Sequence, residues 1–276
     1  MKKILFLAAI AAFNVTFAQT LNTPQPSTTQ TIKQNFGLSS IELSYSRPNA
    51  KGRVVIGGLV PFGKVWRTGA NQATTLNFGD DVTIGGKKIA AGKYGLLSIP
   101  DKDNWILIIT KQLDVTSPAA YKEESDVARI SVKPITVSDK VETFTIQFTN
   151  VKASTCDLNL QWENTSVTLP VSTDVDSKVM SQINDVMTKD NKPYYNAAMY
   201  YMDNGKDLNQ ALTWFNKAVE QNPTAFFMQY QRANCLVKLG KKQDAIAAST
   251  KSLELSKAAN NADYIKLNED LLKSLQ

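Results

Sequence analysis

Cys156-Asp157-Leu158-Asn159-Leu160-Gln161-Trp162 places an apolar side chain at every second position and a polar one between. A strand turns successive side chains to opposite faces, so this run reads as a strand buried on one face and wet on the other. The same rule holds for Ile41, Leu43 and Tyr45, for Ile130 and Val132, for Phe144, Ile146 and Phe148, and for Val167, Leu169 and Val171. One-sided burial of this kind belongs to antiparallel sheets. Trp105–Ile109 is apolar throughout and suits a strand covered on both faces. Gly85-Gly86 between Val82-Thr83-Ile84 and Lys87-Lys88-Ile89 is a two-residue hairpin signal. Eight to ten short strands in about 135 residues imply an antiparallel β-sandwich or barrel over residues 40–171.

Beyond Pro170 the period changes. Val175, Val179, Ile183, Val186 and Met187 recur at helical spacing, and Thr173 with Asp176 forms a weak capping box. Pro193 opens a further helix, after which a repeat of 34 residues emerges: Ala211 and Ala245, Leu212 and Ile246, Ala218 and Ser252, Val219 and Leu253. Small residues Ala198 and Ala233 each precede a glycine, Gly205 and Gly240, by seven positions, and Asn222-Pro223 closes the first unit. This pattern resembles two tetratricopeptide repeats over about residues 195–256. Tyr264, Leu267, Leu271 and Leu275 share a face and mark a capping helix. Residues 172–276 thus form a helical domain, and the chain is multidomain, β then α.

The first 39 residues read differently. Lys2 and Lys3 followed by the apolar run Ile4–Phe13 and by Thr16-Phe17-Ala18 make residues 1–18 a cleavable secretory signal, with Gln19 as the new start. The apolar run is too short for a membrane span, and no later stretch is long enough. Residues 19–39, rich in Thr, Gln and Ser, read as a flexible leader. The protein is expected in the periplasm or outside the cell.

Composition removes several kinds of chemistry. The chain has 276 residues and no histidine, which excludes Ser-His-Asp and Cys-His nucleophiles and His-ligated zinc. Two cysteines, Cys156 and Cys235, make neither a disulfide framework nor a four-cysteine metal site, and both read as buried thiols. No cofactor and no metal site is indicated. The net charge of +6, falling to +4 without Lys2 and Lys3, is mild for a nucleic-acid binder. Gly58–Lys64 matches seven positions of a phosphate-binding loop, but Val65 stands where Ser or Thr must hold magnesium. Asp101-Lys102-Asp103-Asn104 begins like a calcium loop and then breaks off at Trp105, so it reads as a polar turn.

The distribution of charge is more informative than its total. Between Glu42 and Asp80 there is no acidic residue, yet the interval holds Arg47, Lys51, Arg53, Lys64 and Arg67. Glycines there let backbone amides approach a ligand, and arginines offer forked donors to carboxylate or phosphate. Trp66 adds a flat face suited to a sugar ring or a cation, unless it simply fills the sandwich.

Ser46-Arg47-Pro48 and Val65-Trp66-Arg67-Thr68-Gly69-Ala70-Asn71, followed by Ala91-Gly92-Lys93-Tyr94 and Ile99-Pro100, resemble the bacterial family catalogued as domain of unknown function 2911. The resemblance covers about residues 36–162. It implies a secreted protein and assigns no activity. Its recurring block falls here on Arg47, Lys51, Arg53, Trp66, Arg67, Thr68 and Asn71, the candidate ligand-binding residues.

Two functions compete, beside a third reading as a purely structural envelope protein with no small ligand. One is an extracytoplasmic binding protein, with a pocket for an anionic small molecule or glycan and helical repeats for a protein or peptide partner. The other is a histidine-free carbohydrate-active or hydrolytic enzyme. That enzyme would need a carboxylate pair, a Ser/Lys arrangement or a tyrosine acid; carboxylates near the basic loop would have to come from outside the acid-free interval, such as Asp80, Asp81 or Asp101, and no spacing selects a pair.

Overall fold

The computed structural model describes residues 23–276. The expected secretory signal lies outside the described residues. The chain divides into two compact units with the boundary at Val175/Asp176.

The first unit is an antiparallel β-sandwich. Its larger sheet has six strands in the order β1 (Thr28–Phe36), β2 (Ser39–Arg47), β3 (Thr74–Phe78), β6 (Gly92–Ile99), β7 (Trp105–Thr110) and β8 (Asp126–Val132). The smaller sheet runs β5 (Lys87–Ile89), β4 (Val82–Ile84), β10 (Thr155–Ser172) and β9 (Ile135–Thr149). Inward side chains of both sheets share one core, which includes Ile41, Leu43 and Tyr45 from β2 and Leu158, Leu160 and Trp162 from β10. Tyr45 also joins the sheets by hydrogen bonds. Its hydroxyl donates to the Ile146 carbonyl and accepts from the Ile146 N–H.

The period-two runs and the hairpin form as their patterns require. Gly85 and Gly86 both have positive φ, 56° and 77°, as a two-residue turn twisted with its strands demands. In β7 the alternation is apolar on both sides. Trp105, Leu107 and Ile109 enter the sandwich core. Ile108 meets Leu97, Ala73 and Val115 on the opposite face, where Val65, Ile106 and Tyr121 also pack. That face is therefore covered by the β2–β3 and β7–β8 connections, the segments that build the site below. β10 carries two apolar runs of opposite parity, ending at Trp162 and starting at Val167. Register shifts on either side of Glu163, whose φ is +50°, change the parity within one strand.

The leader expectation needs correction. Thr28–Phe36 is β1 and pairs along its whole length with β2. Only Phe36 is buried, and Ile32 packs on the core from a half-buried position. An edge strand with so little apolar surface carries a weak hydrophobic signal, and its threonines and glutamines mimic a linker.

The second unit is helical. α1 (Val175–Val186) is followed by the hairpins α2/α3 (Tyr194–Asp203, Leu208–Gln221) and α4/α5 (Phe226–Lys238, Lys242–Ala258), and then by α6 (Ala262–Ser274). The equivalent alanines Ala198, Ala211, Ala233 and Ala245 are all fully buried, where only a small side chain lets paired helices approach. Leu271 of α6 and Leu275 just after it pack on the α4/α5 core, whereas Leu267 is exposed. The buried member of that helix is Asn268. Its amide donates to Ser252 Oγ and its carbonyl accepts from Ser249 Oγ, so α6 is fixed on α5 by a satisfied polar network.

Candidate functional site

The β2–β3 connection starts at Pro48 and is tied at once to the small sheet. Phe144 N–H donates to the Pro48 carbonyl and Ala50 N–H to the Glu142 carbonyl. Glu142 Oε1 accepts from Lys51 N–H at 2.7 Å, and Glu163 Oε2 accepts from Val55 N–H at 2.7 Å. Two carboxylates of β9 and β10 thus hold the backbone of the basic loop rather than its cations. The chain then returns as a strand-like step at Trp66, which exchanges backbone hydrogen bonds with Ser98 of β6. The turn after it closes on Gly69. A Cβ there would lie 2.9 Å from the Ser46 carbonyl oxygen, so only glycine fits.

These segments enclose a cleft of about 530 Å³. Lys51, Arg53, Lys64 and Arg67 line it, with Asn49, Leu59 and Val60 from the same connection. Pro26 and Ser27 contribute from before β1, Val115, Ser117 and Pro118 from the β7–β8 connection, and Trp162 from β10. Trp66 and Trp162 form its floor, stacked with ring centroids 5.7 Å apart and planes at 23°. Phe144 and Trp105 complete the aromatic cluster beneath.

The polar groups of the cleft are arranged by backbone carbonyls. Arg53 Nε donates to the Ala50 carbonyl and its Nη2 to the Asn49 carbonyl, which fixes the guanidinium across the loop. Arg67 Nη1 donates to the Thr116 carbonyl at 2.6 Å, and its Nε is buried without a hydrogen-bond partner. Among the described residues none of the four cations forms an ion pair, and none of the residues lining the cleft is acidic. Carbonyl dipoles orient the two arginines, and among the described residues the four cations have no ion-pair partner.

Of the seven candidate residues, Lys51, Arg53, Trp66 and Arg67 meet in the cleft. The other three serve the fold. Arg47 Nε and Nη2 donate to the Phe144 carbonyl and to Thr145 Oγ1, clamping the end of β2 to β9. Thr68 is fully buried at φ +56°, and its hydroxyl donates to Ser98 Oγ. Asn71, at φ +58°, donates to the Ser27 carbonyl and Ser46 Oγ and lines a separate cavity of about 430 Å³. Trp66 is mainly a structural aromatic. Its indole N–H donates to the Gly69 carbonyl, and Trp162 stacks on it.

Lys64 was visible in the acid-free interval. Trp162 and the Val115–Pro118 wall come from distant sequence and carry no local signal.

The carboxylates that an enzyme would recruit lie elsewhere. Asp81 Oδ1 accepts from Ala91 N–H, Asp80 Oδ1 from Asp81 N–H and Asp101 Oδ1 from Lys102 N–H. Asp101 lines another, smaller cavity. Among the described residues no group of His, Cys, Asp and Glu is arranged to hold a metal. Nor is any helix among them long and apolar enough to cross a membrane.

The family model described as "Protein of unknown function (DUF2911)" matches residues 27–171, and the chain belongs to that family. The match takes in β1 and β10 up to Val171, more than the motifs alone covered. The tetratricopeptide repeat model matches residues 192–224 and 228–258, the α2/α3 and α4/α5 hairpins. No curated protein matches the chain.

Proposed function

We propose that the protein is an exported binding protein whose β unit holds an anionic ligand in the Lys51–Arg67 cleft and whose helical repeats engage a protein partner. One observation carries the first half: four cations line one cleft, and among the described residues that line it there is neither an ion pair nor a carboxylate. Like charges so gathered raise the local potential and attract an anion. The volume lies within the roughly 300–1,000 Å³ of small-molecule sites. The second half rests on the tetratricopeptide repeats, which stack helix pairs into a surface used for protein contact. Export rests on the charged and apolar start of the sequence.

Binding is favoured over catalysis because none of the described residues lining the cleft is a carboxylate, tyrosine, histidine or cysteine, and no hydrogen bond among them joins Ser27 or Ser117 to Lys51 or Lys64 as a Ser/Lys nucleophile would need. Arg67 is the decisive residue. Arg67→Ala should cost the free protein about 1.5–3 kcal/mol, the worth of a charged hydrogen bond to the Thr116 carbonyl. It should also abolish any rise in melting temperature produced by anions at constant ionic strength, since such a rise requires binding to the native state. If no anion in a broad panel raises the melting temperature of the parent protein, the anion reading fails.

A further inference from the structure

The cleft is graded. Lys51, Arg53 and Lys64 are exposed, whereas Val60, Val115 and Trp162 are buried beneath them. Three of the four cations therefore sit at the mouth, Arg67 lies half-buried below them, and hydrocarbon forms the bottom. Leu59 lines the same opening and is 44% exposed, a large aliphatic side chain left nearly half open to solvent. Neutral hydrogen-bonding groups are few and mostly engaged. Asn49 Oδ1 accepts from Thr143 Oγ1, and the Trp66 indole N–H is committed to Gly69. Ser27 and Ser117 supply the remaining side-chain hydroxyls. A sugar acid entering this space would exchange the hydration of several hydroxyls for apolar walls, an unfavourable transfer. None of the described residues lining the hydroxyl-rich cavity beside Asn71, among them Thr29, Ser44, Ser46 and Thr75, is a cation.

We infer that the ligand is an amphipathic organic acid: a carboxylate held by the cations at the mouth, on a hydrocarbon body seated over Trp66 and Trp162. This rests on the anion reading and narrows it. The carboxylate would take free guanidinium donors of Arg67 and Arg53, which their carbonyl contacts leave oriented. The body would cover the apolar wall, each methylene leaving water to tighten binding by up to about fourfold.

Calorimetric titration of the full chain with sodium acetate, butyrate, hexanoate and octanoate, at matched ionic strength, reads that increment directly. Glucuronate, inorganic phosphate and 3-phenylpropanoate complete the set. Affinity should rise at least tenfold from butyrate to octanoate. Phenylpropanoate should match hexanoate or exceed it, and glucuronate should bind no tighter than acetate. Leu59→Ser, at an exposed position, should flatten the chain-length series without loss of folding. A flat series with glucuronate or phosphate tightest would overturn this inference and leave the anion reading standing. If none of the salts binds, both fall. A rising series that is unchanged in Arg67→Gln would also overturn it, because the carboxylate would then play no part.

Discussion

Trp66 and Trp162 stack at 5.7 Å although they lie 96 positions apart in sequence, one bridged to β6 of the large sheet and the other within β10 of the small sheet. The pair closes the sandwich at the point where the cleft opens. Its lower surface is core and its upper margin is the floor of the site. Trp162 also donates its indole N–H to the Glu142 carbonyl, which places it beneath the basic loop. Trp162→Ala should therefore destabilise by about 3–5 kcal/mol, as large core truncations do. Trp162→Phe, which keeps an aromatic ring, should lose clearly less. Denaturant unfolding followed by circular dichroism measures both. Equal and small losses would show that the stack is not a structural joint.

Glu163 occupies the bulge of β10 with φ +50° and accepts the Val55 N–H, while its other oxygen lies 3.6 Å from Lys140 Nζ. Val55 in turn receives Gly58 and Val60 N–H on its carbonyl, so this one carboxylate anchors the turn that carries Leu59 and Val60. Glu163→Gln retains an acceptor and should be mild. Glu163→Ala leaves the Val55 N–H unmatched and should cost about 1–3 kcal/mol. Hydrogen exchange at Val55 should accelerate in the alanine variant and change little in the glutamine variant. Unchanged exchange in both would remove Glu163 as the anchor.

Much of the sandwich was legible because one-sided burial writes itself as alternation. Leu158, Leu160 and Trp162 could be read inward with no knowledge of their partners. β1 escaped because an edge strand buries little: Phe36 and Ile32 are its main apolar contributions among threonines and glutamines. Of the site, the residues on one loop were legible as an acid-free, arginine-rich stretch. Arg47, Thr68 and Asn71 share that stretch yet are consumed by sheet clamping and by left-handed turns. A local motif records residues needed for a loop's shape together with those needed for its ligand, and composition cannot separate them. Trp162 and Val115 join the site through tertiary packing alone.

Cys156 is buried on the core face of β10, and burial beside Asp157 pushes its thiol from 9.0 up to about 11. The thiol therefore stays protonated in the folded chain at pH values where the unfolded chain releases its proton. Because the unfolded state then binds fewer protons, stability is full below about pH 9 and falls as pH rises from 9 towards 11. Cys156→Ala should reduce that alkaline loss, read from melting temperatures between pH 8 and pH 10.5. Neither Cys156 nor Cys235, also buried and free, should react with a disulfide reagent at pH 8 until the protein is unfolded. Rapid labelling of the native protein at Cys156 would contradict the packing described.

The central claim is that the unpaired cations of the β2–β3 connection form an anion site. Amide resonances of the full chain, titrated separately with hexanoate and with glucuronate at constant ionic strength, test it most directly. The account predicts saturable shifts for at least one of the two, concentrated at residues 49–67 and 115–118 and absent in Arg67→Gln. Saturable shifts confined to the helical unit, or none at residues 49–67 with either salt, would contradict it.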